Sequence, residues 1–131
     1  MKSKVINIKS FEDDRGSLLP LEFSNIGFEP KRLFVVNNVP INSIRGNHAH
    51  YKTRQFIICI NGAVNVILDY IDSKEIIKLV KHEAIMVPEM VWDSQEFLSN
   101  NSEILVVCST VYDIDDYILD YDKFKDIIKE K

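Results

Sequence analysis

The sequence predicts an all-β domain with a helix at its C-terminal end. Three observations carry this. Short runs rich in β-branched and aromatic residues recur at 4–8, 17–23, 32–39, 54–60, 64–70, 75–80, 84–87 and 103–109, and many short strands at regular spacing mark a sandwich or barrel. Turn formers separate them: Asp13-Asp14-Arg15-Gly16, Asn37-Asn38-Val39-Pro40, Asn61-Gly62 and Ser99-Asn100-Asn101. Past residue 112 the apolar spacing changes to three and four, the period of a helix.

Within this pattern Asn61-Gly62 is the strongest turn signal, because a type I′ turn needs positive φ at both central positions. It predicts a hairpin joining 54–60 to 64–70. In the second of these strands Val64, Val66 and Leu68 share one face, and Asn65, Ile67 and Asp69 the other. The helix is predicted over about 113–130, with Ile114, Tyr117, Ile118, Tyr121, Phe124, Ile127 and Ile128 as its apolar stripe. Asp113 suits its N-cap, and Asp115 and Asp116 suit the positive end of its dipole. The helix is expected to pack outside the β-structure.

A chain of 131 residues fits one domain with a real core. Its 46% apolar and 27% charged residues argue against a long disordered region. A net charge of -4 and a pI near 5.3 give no basic patch for nucleic acid, while a few arginines still allow an anionic small ligand. Cys59 and Cys108 lie in apolar runs and read as buried thiols; no CxxC pair exists. The stretch Met1-Lys2-Ser3-Lys4-Val5 has no apolar leader core, and no run approaches the ~20 residues that span a bilayer. A cytoplasmic protein is the expectation.

The chemistry concentrates at His48-Ala49-His50. A strand period of two puts both imidazoles on one face. His82 lies in a polar stretch and reads as a solvated turn residue. Gln55 follows His50 after four residues, and Gly62 follows Gln55 after six; downstream runs Pro88-Glu89-Met90-Val91-Trp92-Asp93. This order and spacing resembles the two cupin motifs, which implies a cupin, or jelly-roll, β-barrel. Metal-binding cupins use His, His, Glu and His; the matched positions are His48, His50, Gln55 and Asp93. Two alternatives follow. Either the pocket is metal-free and the histidines act as acid and base, or His48, His50 and Asp93 form a two-His-one-carboxylate site of the kind that holds iron.

The segment Ile44-Arg45-Gly46-Asn47-His48-Ala49-His50-Tyr51-Lys52-Thr53-Arg54-Gln55 resembles the signature of the nucleotide-sugar 3,4-ketoisomerases (WxcM-like), metal-independent cupins acting on dTDP-4-keto-6-deoxyglucose. Asp14-Arg15-Gly16-Ser17-Leu18, Pro30-Lys31-Arg32-Leu33-Phe34, Cys59-Ile60-Asn61-Gly62, Pro88-x-x-Val91-Trp92 and Tyr112-Asp113-x-x-Asp116-Tyr117-Ile118 extend the likeness along nearly the whole chain. Two positions depart from the family: Phe34-Val35 where it usually has tyrosine, and Asp93 where it often has histidine or arginine. Arg15 is similar to the branch making the galacto-configured 3-keto product.

The resemblance implies a catalytic pair, His50 as the carbon base and His48 as its partner, because a group titrating near neutrality suits proton transfer in both directions. Arg15, Arg32, Arg45, Arg54 and Lys52 are candidates for the diphosphate or the developing enediolate. Gln55 is a candidate for a sugar hydroxyl, Trp92 for stacking and Asp93 for sugar contact. No cofactor is expected. The partners implied are a dTDP-linked 4-keto-6-deoxy sugar and a second copy of the chain, with Lys4-Val5-Ile6-Asn7-Ile8 adding to the partner's sheet edge. The other functions compatible with these residues are a dTDP-sugar 3,5-epimerase, and a non-catalytic or metal-dependent sugar-binding cupin.

Overall fold

The structure is a computed structural model and describes residues 3–131; Met1 and Lys2, part of the stretch read for a leader, lie outside the described residues. The strands are β1 (Ile6–Asn7), β2 (Phe11–Asp13), β3 (Gly16–Leu18), β4 (Arg32–Val36), β5 (Ile44–His50), β6 (Gln55–Asn61), β7 (Ala63–Asp69), β8 (Lys74–Val80), β9 (Glu83–Val87), β10 (Trp92–Phe97), β11 (Glu103–Cys108) and β12 (Tyr117–Ile118). Helix α1 covers Tyr121–Lys129. Two five-stranded antiparallel sheets form, in the orders β1-β9-β6-β11-β4 and β12-β5-β10-β7-β8; β2 and β3 make a separate hairpin. This is the expected all-β architecture with a C-terminal helix.

Apolar side chains fill three layers. Between the sheets pack Ile57 and Cys59 of β6, Val64, Val66 and Leu68 of β7, Phe97 of β10 and Ile104 and Val106 of β11. The alternate residues of β6, Phe56 and Ile58, point outward and are covered by Ile8, Leu19, Leu21, Ile26 and Phe28 from the N-terminal segment. On the far side Ala49, Ile118 and Trp92 are covered by Phe124, Ile127 and Ile128 of α1. β6 is therefore buried on both faces, which explains its unbroken apolar run from Phe56 to Ile60.

The interior is polarised along its length. Reading β6 backwards from Cys59 through Ile57, the inward face ends on Gln55; reading β10 back from Phe97, it ends on Gln95 and Asp93. One end of the barrel is thus hydrocarbon, and polar side chains gather at the other.

Two sequence expectations need correction. Asn61-Gly62 is no hairpin turn, because β6 and β7 belong to different sheets. Gly62 (φ 68) is a corner where the chain changes sheet, packed so tightly that a Cβ would meet the Ser102 Cα at 2.7 Å. The helix does not start at Asp113. That residue caps a 3-10 turn over Ile114–Asp116, accepting from the Asp115 amide; Tyr117 and Ile118 then pair with His50 and Ala49, and Asp120 caps α1 through the amides of Asp122 and Lys123. Sheet hydrogen bonds to β5 outcompete the helical period there, and Ile114 is left exposed. The segment around Ile6 pairs with β9 of its own chain and stands as the edge strand of that sheet.

Candidate active site

At the polar end lies a cavity of about 90 Å³ whose polar lining is Arg45, His48, Gln55 and Gln95, with Phe34 and Val106 among its apolar walls. Larger recesses of about 310 Å³ beside Ile6, Leu21 and Phe56 and about 520 Å³ on the β2–β3 hairpin with Arg15 hold no histidine, so the chemistry selects the smaller one.

A bulge in β5 assembles this wall. Asp93 pairs with His48, Ser94 with Gly46 and Gln95 with Arg45, so Asn47 is an extra residue on the β5 side. Strict alternation would point Arg45 away from His48. The inserted residue restores Arg45 to the cavity side. Gly46 (φ 91) and Asn47 (φ 60) supply the left-handed backbone the bulge needs.

His48 and His50 do share a face: their ring centroids are 5.0 Å apart in an edge-to-face arrangement. They differ in access. His48 lines the cavity, whereas His50 is 4% exposed and sits behind it. Tyr117 touches both rings, at 5.3 Å from His48 and 4.4 Å from His50. The Asp116 Oδ2 approaches His50 Nδ1 to 3.3 Å, but off the line of a hydrogen bond, and neither His50 nitrogen has a hydrogen-bond partner among the described residues.

Burial pushes His48 down to about 4, His50 adding to the effect and the Gly46 backbone partly offsetting it. His48 is therefore a free base at neutral pH. Burial lowers His50 too, against the pull of the Asp116 carboxylate. Burial alone would raise Asp116, but hydrogen bonds from the Thr53 side chain and backbone and from the Lys52 amide outweigh it and keep this carboxyl ionised. Arg32 donates to the Tyr117 hydroxyl at 3.2 Å, its guanidinium lying over the rings of Phe34 (5.2 Å) and Tyr112 (5.4 Å).

Asp93 is 1% exposed. Its Oδ1 accepts from Gln95 Nε2 at 2.7 Å, while Oδ2 has no partner among the described residues. Burial pushes this carboxyl up to about 7, with the Gln95 amide pulling the other way. The Asp93 backbone pairs with His48 across β5 and β10, and its side chain is not among those that line the cavity. Among the described residues no three His, Cys, Asp or Glu side chains are grouped to hold a metal.

The structure thus brings together His48, His50, Arg45 and Gln55, with Arg32 joined to them through the Tyr117 hydroxyl. It does not bring Trp92 to this face: the ring packs on the outer side against Tyr121 (5.2 Å) and Phe124 (5.8 Å), because Trp92 alternates with Asp93. Arg15 sits on the β2–β3 hairpin, 90% exposed and paired with Asp13 at 2.7 Å, outside the cavity of its own chain. Lys52 lines a different recess, with Thr110 and Asp113, and Arg54 lies over Phe28 at 5.7 Å. Asp93 faces inward opposite His48 but does not line the cavity. Gln95 and Tyr117 are the site residues that sequence reasoning missed; Gln95 lies in a strand that the sequence does not declare, and Tyr117 was masked by its assignment to the helix.

The family model described as FdtA: WxcM-like, C-terminal, matches residues 1–129. A curated protein of Aneurinibacillus thermoaerophilus, TDP-4-oxo-6-deoxy-alpha-D-glucose-3,4-oxoisomerase, is 38% identical over 98% of this chain and 94% of its own. The sugar 3,4-ketoisomerase QdtA of Thermoanaerobacterium thermosaccharolyticum, solved in complex with TDP, superposes with a TM-score of 0.89 at 32% identity over 98% of this chain and 95% of the other. A 3,4-ketoisomerase of Helicobacter canadensis gives 0.90 at 29% over 98% of both chains.

Proposed function

The chain belongs to the FdtA, WxcM-like family and is a TDP-sugar 3,4-ketoisomerase, and we propose that it moves the ketone of TDP-4-keto-6-deoxyglucose from C4 to C3 by proton transfer at the His48–His50 pair. The single observation that carries the chemistry is a neutral imidazole, His48, on the wall of a cavity it shares with Arg45.

The C4 ketone acidifies the C3 proton. His48 takes that proton, and the C3–H electrons form the C3–C4 double bond of an enediolate whose charge rests on the C4 oxygen. Arg45 stabilises this oxyanion. The C3 hydroxyl then gives up its proton as its oxygen becomes the new ketone, C4 receives a proton at carbon, and the C4 oxygen stays bonded and takes up a proton to become a hydroxyl. In balance C3 loses one proton and C4 gains one, O3 loses one and O4 gains one, and the proton on the imidazole exchanges with solvent before it reaches C4. His48 is preferred to His50 as the carbon base because His50 is 4% exposed and backed by Asp116; His50 serves as the buried partner of the pair. At about 90 Å³ the cavity suits the reacting part of the hexose, well below the ~300–1,000 Å³ of typical ligand clefts. The nucleotide therefore lies outside it, where Arg32 is placed to meet the diphosphate.

The reaction is proposed to need no metal, since Gln55 and Asp93 stand at two of the four cupin ligand positions. The protein is proposed to work in the cytoplasm as a homodimer; exposed Leu33 and Val35 on the sheet-edge strand β4, and Phe11 and Leu18 on the hairpin, favour pairing. Incubation with TDP-4-keto-6-deoxyglucose in D2O is expected to give a 3-keto product with deuterium at C4, and activity is expected to survive a chelator. Unchanged sugar, or activity restored only by an added metal, overturns the respective proposal; a monomer by light scattering overturns the dimer.

A further inference from the structure

Asp93 is an anomaly in this fold. A carboxylic acid 1% exposed, with Oδ2 lacking a partner among the described residues, destabilises the chain that carries it. It does not line the cavity, so it touches no substrate directly. Its one side-chain hydrogen bond goes to Gln95, which does line the cavity and is itself only 7% exposed.

One end of the Gln95 amide is held by a hydrogen bond, and the other packs close to backbone. Nε2 donates to Asp93 Oδ1 at 2.7 Å. Oε1 lies against Gly46, where an added Cβ would come within 3.2 Å of it. Asp93 accepts at Oδ1 whether Oδ2 carries a proton or not, so the amide keeps one orientation. Gln95 lines the cavity with His48 and Arg45, and the second N–H of Nε2 and the Oε1 oxygen are the polar groups it can offer there. Gln55, from the opposite sheet, presents a second amide across the same space.

We propose that Gln95 is a further substrate-contacting residue, reading a hydroxyl or oxo oxygen of the hexose ring, and that Asp93 is the positioning residue that fixes it. This rests on the ketoisomerase reading. A site built to hydrogen-bond a sugar oxygen loses affinity for that sugar when the partner is removed, and the loss is confined to the hexose.

The test compares Gln95→Met, Asp93→Leu, Asp93→Asn and the Gln95→Met/Asp93→Leu double variant; Asp93→Asn keeps the original volume. Steady-state kinetics use TDP-4-keto-6-deoxyglucose, and TDP alone is the binding probe. Gln95→Met is expected to lower kcat/KM by about 10–100-fold, chiefly through KM, with TDP affinity unchanged. Asp93→Leu is expected to reproduce that loss, Asp93→Asn to recover most of it because an Oδ1 acceptor remains, and the double variant to be no worse than Gln95→Met. Wild-type kcat/KM in Gln95→Met, or losses in the two single variants that multiply in the double, overturn the proposal. An inactive wild type refutes the ketoisomerase reading itself, which separates the two failures.

Discussion

At the scale of single residues, the cavity separates two histidines that the His-x-His motif presents as equals. His48 faces the cavity and burial keeps it neutral; His50 is enclosed by Tyr117 and Asp116. His48→Asn keeps the ring's approximate shape but cannot accept a proton at neutral pH. It is expected to lower kcat by about 10²–10⁴-fold, with sugar-nucleotide affinity by calorimetry changed only a few-fold. His50→Asn is expected to cost less; a larger loss there than in His48→Asn would exchange their roles. Alternation along β10 was not legible: the sequence declares no strand over 92–97, so outward Trp92 and inward Asp93 read alike as site residues and Gln95 goes unmarked. Arg45 was legible only as a cation near the motif. Its inward orientation depends on the bulge at Gly46-Asn47, which a period of two cannot represent. The exposure of Arg15 was not legible at all, since a charged residue in a turn reads the same on a projecting hairpin as at the lip of a cavity.

At the scale of elements, local pattern succeeded where one face was buried and failed where tertiary pairing overrode it. The strands β4, β6, β7, β8, β9 and β11 carry enough β-branched residues to declare themselves. β10 does not, because Asp93-Ser94-Gln95-Glu96 spends its inward positions on the site. The C-terminal stripe reads as one helix from 113, but Tyr117–Ile118 is drawn into the sheet and only Tyr121–Lys129 winds. That short helix is held by Phe124, fully buried against Ala49 and Ile118 behind the His48–His50 strand. Phe124→Ala is expected to destabilise the fold by about 3–5 kcal/mol and to loosen β12, so kcat should fall with Tm because Tyr117 loses its seat on both imidazoles. A drop in Tm with full activity of the folded fraction would show that α1 is scaffold alone. Gly62→Ala combines a left-handed residue with a backbone contact at 2.7 Å and is expected to cost at least ~2 kcal/mol, read as a lower urea midpoint with an unchanged slope; a wild-type midpoint would show that the sheet-changing corner yields.

At the scale of the whole molecule, the two most perturbed groups of the site oppose each other in their effect on stability. His48 is pushed from 6.5 down to about 4. Between those values the unfolded chain holds a proton that the folded one lacks, so this group makes stability rise with pH. Asp93 is pushed from 3.8 up to about 7. Across that window the folded chain holds a proton that the unfolded one lacks, so stability falls as pH rises. Each effect amounts to a few kcal/mol on the order of 1.4 per pH unit, and the windows overlap almost completely. Between pH 4.5 and 6.5 they nearly cancel, leaving a shallow upward slope from His50, whose depressed value acts in the sense of His48. Asp93→Asn removes the opposing partner while keeping its shape. The variant is therefore expected to gain stability steeply from pH 4.5 to 6.5, by roughly 2–3 kcal/mol, where the wild-type curve is nearly flat. Above pH 7 it should be the more stable of the two, because the wild type must then ionise a carboxyl with an unpartnered Oδ2. Urea unfolding of both proteins across this range reads the difference directly. Parallel curves would mean that Asp93 does not take up its proton on folding, and that the buried acid is accommodated by a rearrangement of β10 rather than by protonation.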